Sequence, residues 1–357
     1  MPAKGVEATA VRTSDDSHRD RVVVVGGGLV GRVTAWRAAQ RGLSVTLVES
    51  DPARAASTVA AGMLTPATEA AFGEEPLMEL GIRSARMYAD FVAELEEASG
   101  LDVGHRATGT LLVAFDRDDL AVLTELHALQ RRLGIAAERL TGRECRRLEP
   151  MLAPSWPLYT SDAADDPTCL WEAAAGRILP AHQVVLAAGC WGNGVAVPEP
   201  VVPPLRPVKG QLLRARVPDG EPPLVGRTVR GLVRGFPTYL VPRADGEVVI
   251  GATQEELGHD TSLTVGGLWQ VLRDARELVP GVSELEVTET CVGLRPGSPD
   301  NEPLLGPTRV PGLHLAAGHF RHGVLLTPVT GEAMARALTD GDLPEYARRF
   351  TARRASR

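Results

Sequence analysis

Three groups of residues have types and spacings that could do chemistry. The first is Gly26-Gly-Gly28-Leu29-Val30-Gly31, a G-x-G-x-x-G run. It follows the valines Val22 to Val25 and opens a segment of helical composition, Val33-Thr-Ala-Trp-Arg-Ala-Ala39. Strand, glycine turn and helix in that order suit a pyrophosphate. Gly26 makes the tight turn, Gly28 lets the backbone approach, and Gly31 lets the helix lie close to the strand. The helix N-terminus then faces the anionic oxygens. A second apolar strand, 44–48, ends on Glu49, where an acid accepts hydrogen bonds from a ribose. The pattern predicts dinucleotide binding without saying which dinucleotide. The second group is Gly293-Leu-Arg295-Pro296-Gly297-Ser-Pro-Asp300. An arginine between a strand and a Pro-Gly turn is held on stiff backbone and suits bidentate capture of a carboxylate. A surface arginine capping a turn is the plainer alternative. The third is Gly318-His319-Phe320-Arg321-His322-Gly323, between an apolar strand and a helix. Backbone N–H groups there would point above the carboxyl edge of a sheet, although an ordinary βα loop has the same outline. His319 and His322 have no carboxylate or thiol nearby in sequence, so no metal is expected. No G-x-S-x-G elbow or HExxH motif occurs, which leaves the chemistry to a cofactor.

These residues need elements to hold them. Apolar runs at 22–25, 44–48, 183–189 and 313–318 read as strands of one parallel sheet, three of them ending in glycine. Extended segments at 208–217, 238–242 and 247–251, with an Asp245-Gly246 hairpin turn, read as an antiparallel sheet. Helical periodicity marks 77–95, 120–133, 268–278 and 326–338, and Thr141-x-x-Glu144 is a capping box. The fold class is therefore α/β, with an antiparallel-sheet domain inserted into a doubly wound one. The expected division is a disordered tail over 1–20, a nucleotide domain from 21–76, 146–205 and 296–357, and a substrate domain from 77–145 and 206–295. The stretch 50–64 is rich in small residues, and Ser50, Ser57, Thr58, Ala61, Gly62 and Met63 could crowd a flat ligand.

Bulk properties exclude several classes. The chain has 357 residues, 44% hydrophobic, with a net charge of −7, so nucleic acid is not an expected partner. No apolar run approaches the ~20 residues of a membrane span. The first twenty residues are polar and lack the apolar core of a signal peptide. Cys145, Cys169, Cys190 and Cys291 show no CxxC spacing and read as reduced thiols of a cytoplasmic protein.

Taken in order, the glycine run with Glu49, Ala61-Gly62-Met63-Leu64, Val185-Leu-Ala-Ala-Gly189, Tyr239-Leu-Val-Pro242-Arg243, the Arg295 motif and 318–323 resemble the FAD-dependent amine oxidases of the D-amino-acid oxidase superfamily. Within it the chain is most similar to glycine oxidases of thiamine biosynthesis. The resemblance covers nearly everything from Arg21 onward. It implies a glutathione-reductase-type, Rossmann-like FAD domain with noncovalent FAD. It also implies oxidation of glycine, or another small amine such as sarcosine or a D-amino acid, to the imine, with O2 reduced to H2O2. The glycine imine would supply the thiazole of thiamine. By motif, Arg295 binds the substrate carboxylate, Tyr239 donates its hydroxyl to it, and Arg321 lies beside flavin and substrate. Ala61 to Met63 would line the flavin ring. Gly189 would lie near the cofactor. His319, Phe320, Arg321, His322, Gly323, Val324 and Leu325 would contact the pyrimidine end. Related oxidases are often homotetramers, so a homo-oligomer is compatible with the resemblance.

Two departures stand out. Related sarcosine oxidases attach FAD to a late cysteine. Cys291 is near that place, but the matching position is Gly293. The stretch 168–183 is shorter than the family pattern by a strand and a half, which weakens the expected cover of the adenine end. Two rival readings stay open. One is a sarcosine, D-amino-acid or D-proline oxidase or dehydrogenase, decided by pocket residues such as Pro237, Gln254 and Thr65. The other is a flavin-binding protein with degenerate activity.

Overall fold

The computed structural model describes residues 21–154, 158–161, 181–195 and 202–356. The tail 1–20, Cys169 and the segment 168–180 of the expected shortening lie outside the described residues. In chain order the elements are β1 (Arg21–Val25), α1 (Leu29–Gln40), β2 (Ser44–Val48), α2 (Glu75–Ser99), β3 (Thr110–Ala114), α3 (Arg117–Arg132), β4 (Ala137–Glu138), α4 (Gly142–Leu148), β5 (Leu158–Ser161), β6 (Gln183–Leu186), β7 (Arg206–Arg216), β8 (Thr228–Val233), β9 (Phe236–Pro242), β10 (Glu247–Gly251), α5 (Val265–Leu278), β11 (Glu286–Gly297), β12 (Leu304–Pro307), β13 (Leu313–Ala317) and α6 (Thr327–Asp340).

The chain divides into two compact units. The first comprises 1–60, 168–208 and 294–357, and the second 61–167 and 209–293. The first unit is built on a five-stranded sheet in the order β12-β13-β6-β1-β2. β1 pairs in parallel with β2 and β6, and β6 with β13, while β12 is an antiparallel edge. Valines suit this position because parallel strands are buried on both faces, and Val22 and Val24 are almost wholly buried. Helix α1 packs against α6. The approach is close at Gly331, where a Cβ would lie 2.6 Å from Cγ2 of Val33.

The second unit is an eight-stranded sheet in the order β11-β7-β10-β9-β8-β3-β5-β4. Side-chain alternation gives it two different faces. One carries Leu213, Val229, Leu240 and Ile250, which pack with Val271, Ala275 and Leu278 of α5 as one core. On the other, the β3 end is covered by α2 and α3 through Met78, Leu123, Leu126 and Leu129. Farther along that same face run Arg230, Tyr239, Gly251 and Leu212, paired strand to strand.

Several details differ from the sequence reading. β8 and β12 are strands that local pattern does not reveal. β3 and β8 pair in parallel within a sheet expected to be antiparallel. β11 continues through Gly297, so Arg295 sits within a strand rather than between strand and turn. Residues 61–76 and the described residues between 146 and 161, expected with the nucleotide domain, group with the second unit. For 61–76 the reason is a set of hydrogen bonds from that unit: Arg243 Nη2 donates to the Ala61 carbonyl at 2.7 Å, and Gln130 Nε2 to the Ala67 carbonyl at 2.8 Å.

Candidate active site

In the first unit the glycine run forms a cradle above β1. Gly26 has φ +112°, and a Cβ there would lie 2.3 Å from the Ala187 carbonyl oxygen. A Cβ on Gly31 would lie 1.8 Å from the Gly26 carbonyl oxygen. Both positions therefore admit only glycine. Gly28 differs, since a Cβ there would meet nothing nearer than Ala55 Cβ at 3.8 Å. That missing side chain leaves open space at the N-terminus of α1, beside Leu29, Val30 and the positive end of the helix dipole. The open space fits the close approach of a pyrophosphate.

Glu49 closes the side of the cradle. Gly27 N donates to its Oε2 at 2.7 Å and Ser50 N to its Oε1 at 2.8 Å. With a third bond from Asp51 N to Oε1 at 3.3 Å these orient the carboxylate, and Oε2 keeps a lone pair for a ribose hydroxyl. Ser57 Oγ accepts from Leu29 N at 3.4 Å, and Thr58 Oγ1 donates to the Ala55 carbonyl at 2.8 Å, which pins this loop beside the first turn of α1. Arg32 Nε donates to the Gly27 carbonyl at 2.6 Å.

Three other predicted stretches also meet in the first unit. Cys190 Sγ donates to the Leu294 carbonyl at 3.4 Å, which sets the Gly189 turn against the strand of Arg295. Gly297 bridges to His319. Phe320 is buried with φ +49°, a left-handed conformation that a bulky residue rarely adopts. The guanidinium of Arg321 lies 5.3 Å from the centroid of that ring, and that of Arg206 5.4 Å. Arg295 and Arg321 are both half-buried. Gly323 to Leu325 then lead into α6.

His319 is a core residue. Burial pushes its imidazole down to about 4, so it is neutral at physiological pH. Its Nε2 lies 3.0 Å from Thr330 Oγ1 on α6. The side chain therefore anchors the loop, and the loop's main chain is what it can offer a cofactor. His322 is buried as well. Among the described residues no group of three His, Cys, Asp or Glu is placed to hold a metal.

In the second unit Tyr239 is buried on the face opposite α5, where β9 pairs with β10. Its hydroxyl rests over Gly251: a Cβ there would lie 2.5 Å from Oη and 2.7 Å from Cζ. Ala61 and Gly62 are buried and Met63 half-buried, with Gly62 at φ +76°. Sequence reasoning missed Gly251, Arg230 and Glu69, and quoted Arg243 only as part of a motif, without its bond to Ala61. Only the alternation of β8 could have placed Arg230 on the face of Tyr239.

The comparisons agree with this architecture. The model of the FAD dependent oxidoreductase family matches residues 21–177 and 163–337. A Rhizobium etli protein, provisionally named thiamine biosynthesis oxidoreductase ThiO, is 33% identical over 91% of this chain and 98% of its own. The bifunctional protein ThiO/ThiG of Trichormus variabilis is 30% identical over 88% of this chain. The chain spans about half the length of that bifunctional relative, 52%. The crystal structure of glycine oxidase from Geobacillus kaustophilus superposes with a TM-score of 0.80 at 25% identity, covering 94% of this chain and 99% of that one. The chain belongs to the FAD dependent oxidoreductase family, an FAD-using family of enzymes.

Proposed function

We propose that the chain is an amine oxidase that converts glycine, and other small amines such as sarcosine or D-amino acids, to the imine, with O2 reduced to H2O2. The glycine imine would feed the thiazole of thiamine. The observation that carries this reading is Tyr239, a phenol presented on a sheet face where Gly251 clears space for it. A buried hydroxyl at that position is suited to hold a substrate carboxylate.

FAD, when bound, supplies the acceptor for the hydride equivalent leaving the amine. Gly26, Gly28 and Gly31 would hold its pyrophosphate, and Glu49 a ribose. Ser50, Ser57 and Thr58 would shape the same side, Ala61 to Met63 would line the ring, and Gly189 would lie beside it. The main chain of 319–325 would face the pyrimidine end, where N–H donors before α6 favour negative charge. Arg295 takes the substrate carboxylate by charge-assisted hydrogen bonds, and the Tyr239 hydroxyl donates to it. Arg321 adds positive charge. Catalysis by these residues is mainly orientation, and no protein base is required. The amine must be neutral to react, so activity rises toward alkaline pH.

Noncovalent attachment is part of this reading, supported by Cys291, whose thiol is buried and pushed up by that burial. Cys145, Cys190 and Cys291 are free thiols, in keeping with a cytoplasmic setting. Among the described residues no helix is long and apolar enough to cross a membrane. Self-association belongs to the same proposal.

The test is anaerobic addition of glycine, sarcosine and D-proline to the flavin-loaded protein. Bleaching of the flavin by glycine or sarcosine supports the reading. Bleaching by D-proline alone moves the substrate elsewhere in the family, and no bleaching overturns catalysis. Protein that takes up no FAD overturns the assignment entirely.

A further inference from the structure

The second unit contains an ion pair that the proposed reaction does not use. Arg230 of β8 lies directly opposite Tyr239 of β9, so both side chains rise from one face with Cβ atoms ~5 Å apart. Arg230 Nη1 donates to Glu69 Oε1, and also to Thr68 Oγ1 at 3.3 Å. Both charged side chains are only 11% exposed. The 61–69 segment is also held at two other points, by Arg243 on Ala61 and Gln130 on Ala67. The pair's chemical effect is to cancel one positive charge beside the tyrosine.

We propose that Glu69 masks Arg230 and thereby restricts the site to substrates with a single carboxylate. This rests on the reading that Tyr239 binds the substrate. Arg230 stands on the strand flanking Tyr239 on the side away from Gly251, so a substrate long enough to extend from the hydroxyl across the ring would meet it. With Glu69 in place, a second carboxylate entering beside Tyr239 meets an acid and a guanidinium already engaged. Glu69→Gln keeps the shape and a hydrogen bond to Arg230 but removes the negative charge. The guanidinium is then a cation in a partly dry site, where a carboxylate is its best partner. The variant gains dicarboxylates, such as iminodiacetate or D-aspartate, relative to sarcosine or glycine.

The experiment uses the flavin-loaded wild type, E69Q and the double variant E69Q/R230M. Calorimetry measures binding of oxydiacetate and methoxyacetate, ether analogues of a dicarboxylate and a monocarboxylate that have no amine to oxidise. The affinity ratio of oxydiacetate to methoxyacetate is expected to rise about tenfold in E69Q, the low end for a charge-assisted hydrogen bond, and to return to the wild-type value in the double variant. The kcat/KM ratio of iminodiacetate to sarcosine should move in parallel. Glu69→Asp, which withdraws the charge by one methylene, should shift the ratio less and serves if E69Q does not fold. An unchanged ratio, a gain that survives loss of Arg230, or no binding of oxydiacetate to the variant overturns the proposal. Failure of the wild type to oxidise any amine overturns the function instead, while the analogue ratio still reports on Glu69.

Discussion

Replacing Gly251 with alanine would test the role of Tyr239 without touching the tyrosine. The new Cβ would lie 2.5 Å from Oη, 2.7 Å from Cζ and 3.0 Å from Leu212 Cβ. Carbon atoms sit comfortably at about 3.5–4.0 Å, so the ring must move by roughly 1 Å. The ring is buried, and the hydroxyl is the end with the closest clash. The hydrogen bond proposed from it to a substrate carboxylate would then be lost. A bond of that kind contributes about 1.5–3 kcal/mol, which is roughly 10- to 100-fold in KM for glycine. Tyr239→Phe should cost about the same, because it removes the same hydroxyl. The two changes should not add: with Oη gone, Gly251→Ala has no bond left to break, and the double variant should resemble Tyr239→Phe to within about 1 kcal/mol. Steady-state kinetics on the four proteins, with flavin occupancy measured for each, gives the coupling. Additive effects, or an unchanged KM in Gly251→Ala, would refute the placing of substrate at Tyr239.

Other expectations concern the first unit. Gly31→Ala should strip flavin from the purified protein and lower its melting temperature, since its Cβ would collide with the Gly26 carbonyl. Gly28→Ala should leave the apoprotein's melting temperature unchanged yet weaken FAD at least several-fold, because it fills only the open cradle; equal losses of stability in the two would argue against the cradle. His314 and His319 are both pushed down to about 4 by burial, with Arg353 adding to the effect at His314. The folded state then binds fewer protons than the unfolded state between pH 6.5 and 4, so stability falls as pH drops through that window, by about 2 kcal/mol per histidine at pH 5. Urea midpoints at pH 7 and pH 5 should converge for His319→Gln compared with wild type, and an equal drop in both would refute a neutral His319. Arg295→Ala should raise KM for glycine steeply while the flavin stays bound. Its turnover should still rise toward alkaline pH, and a normal KM would remove the residue from carboxylate binding.

The legible parts of the chain were those whose physics is local. Gly26, Gly28 and Gly31 stand out because their spacing is a local pattern, and Gly31 answers the Gly26 carbonyl five residues back, although the contact of Gly26 with Ala187 is long-range. The capping box at Thr141 and Glu144 forms as its spacing predicts. The parallel sheet was readable from its apolar runs, because strands buried on both faces are nearly all valine, leucine and alanine. β8 was not readable, since Thr-Val-Arg-Gly-Leu-Val mixes a charge and a glycine into a strand that pairs with distant β3. β12 contains Gly306 at φ +79° and Pro307, both of which read locally as breakers. Arg230 and Glu69 are 161 residues apart, so no spacing rule joins them. Arg295, Tyr239 and Arg321 are proposed by likeness to known motifs, and residue chemistry alone leaves Arg295 level with a surface arginine capping a turn.

The order of strands in the first unit also sets a timetable. β1 and β2 are made before the rest of their sheet, yet β1 lies between β2 and β6, and β13 beyond β6 is made only after the second unit's strands. Helix α1 packs on α6, which is made later still. The opening valines must therefore wait, with apolar faces uncovered, until the second unit's strands have been threaded out between them. Such long-range pairing is slow and exposes surface that aggregates. FAD can be captured only after β13 and α6 have been made, when it stabilises the product by mass action. Overproduction faster than the flavin supply should thus yield insoluble chains before it yields soluble apoprotein.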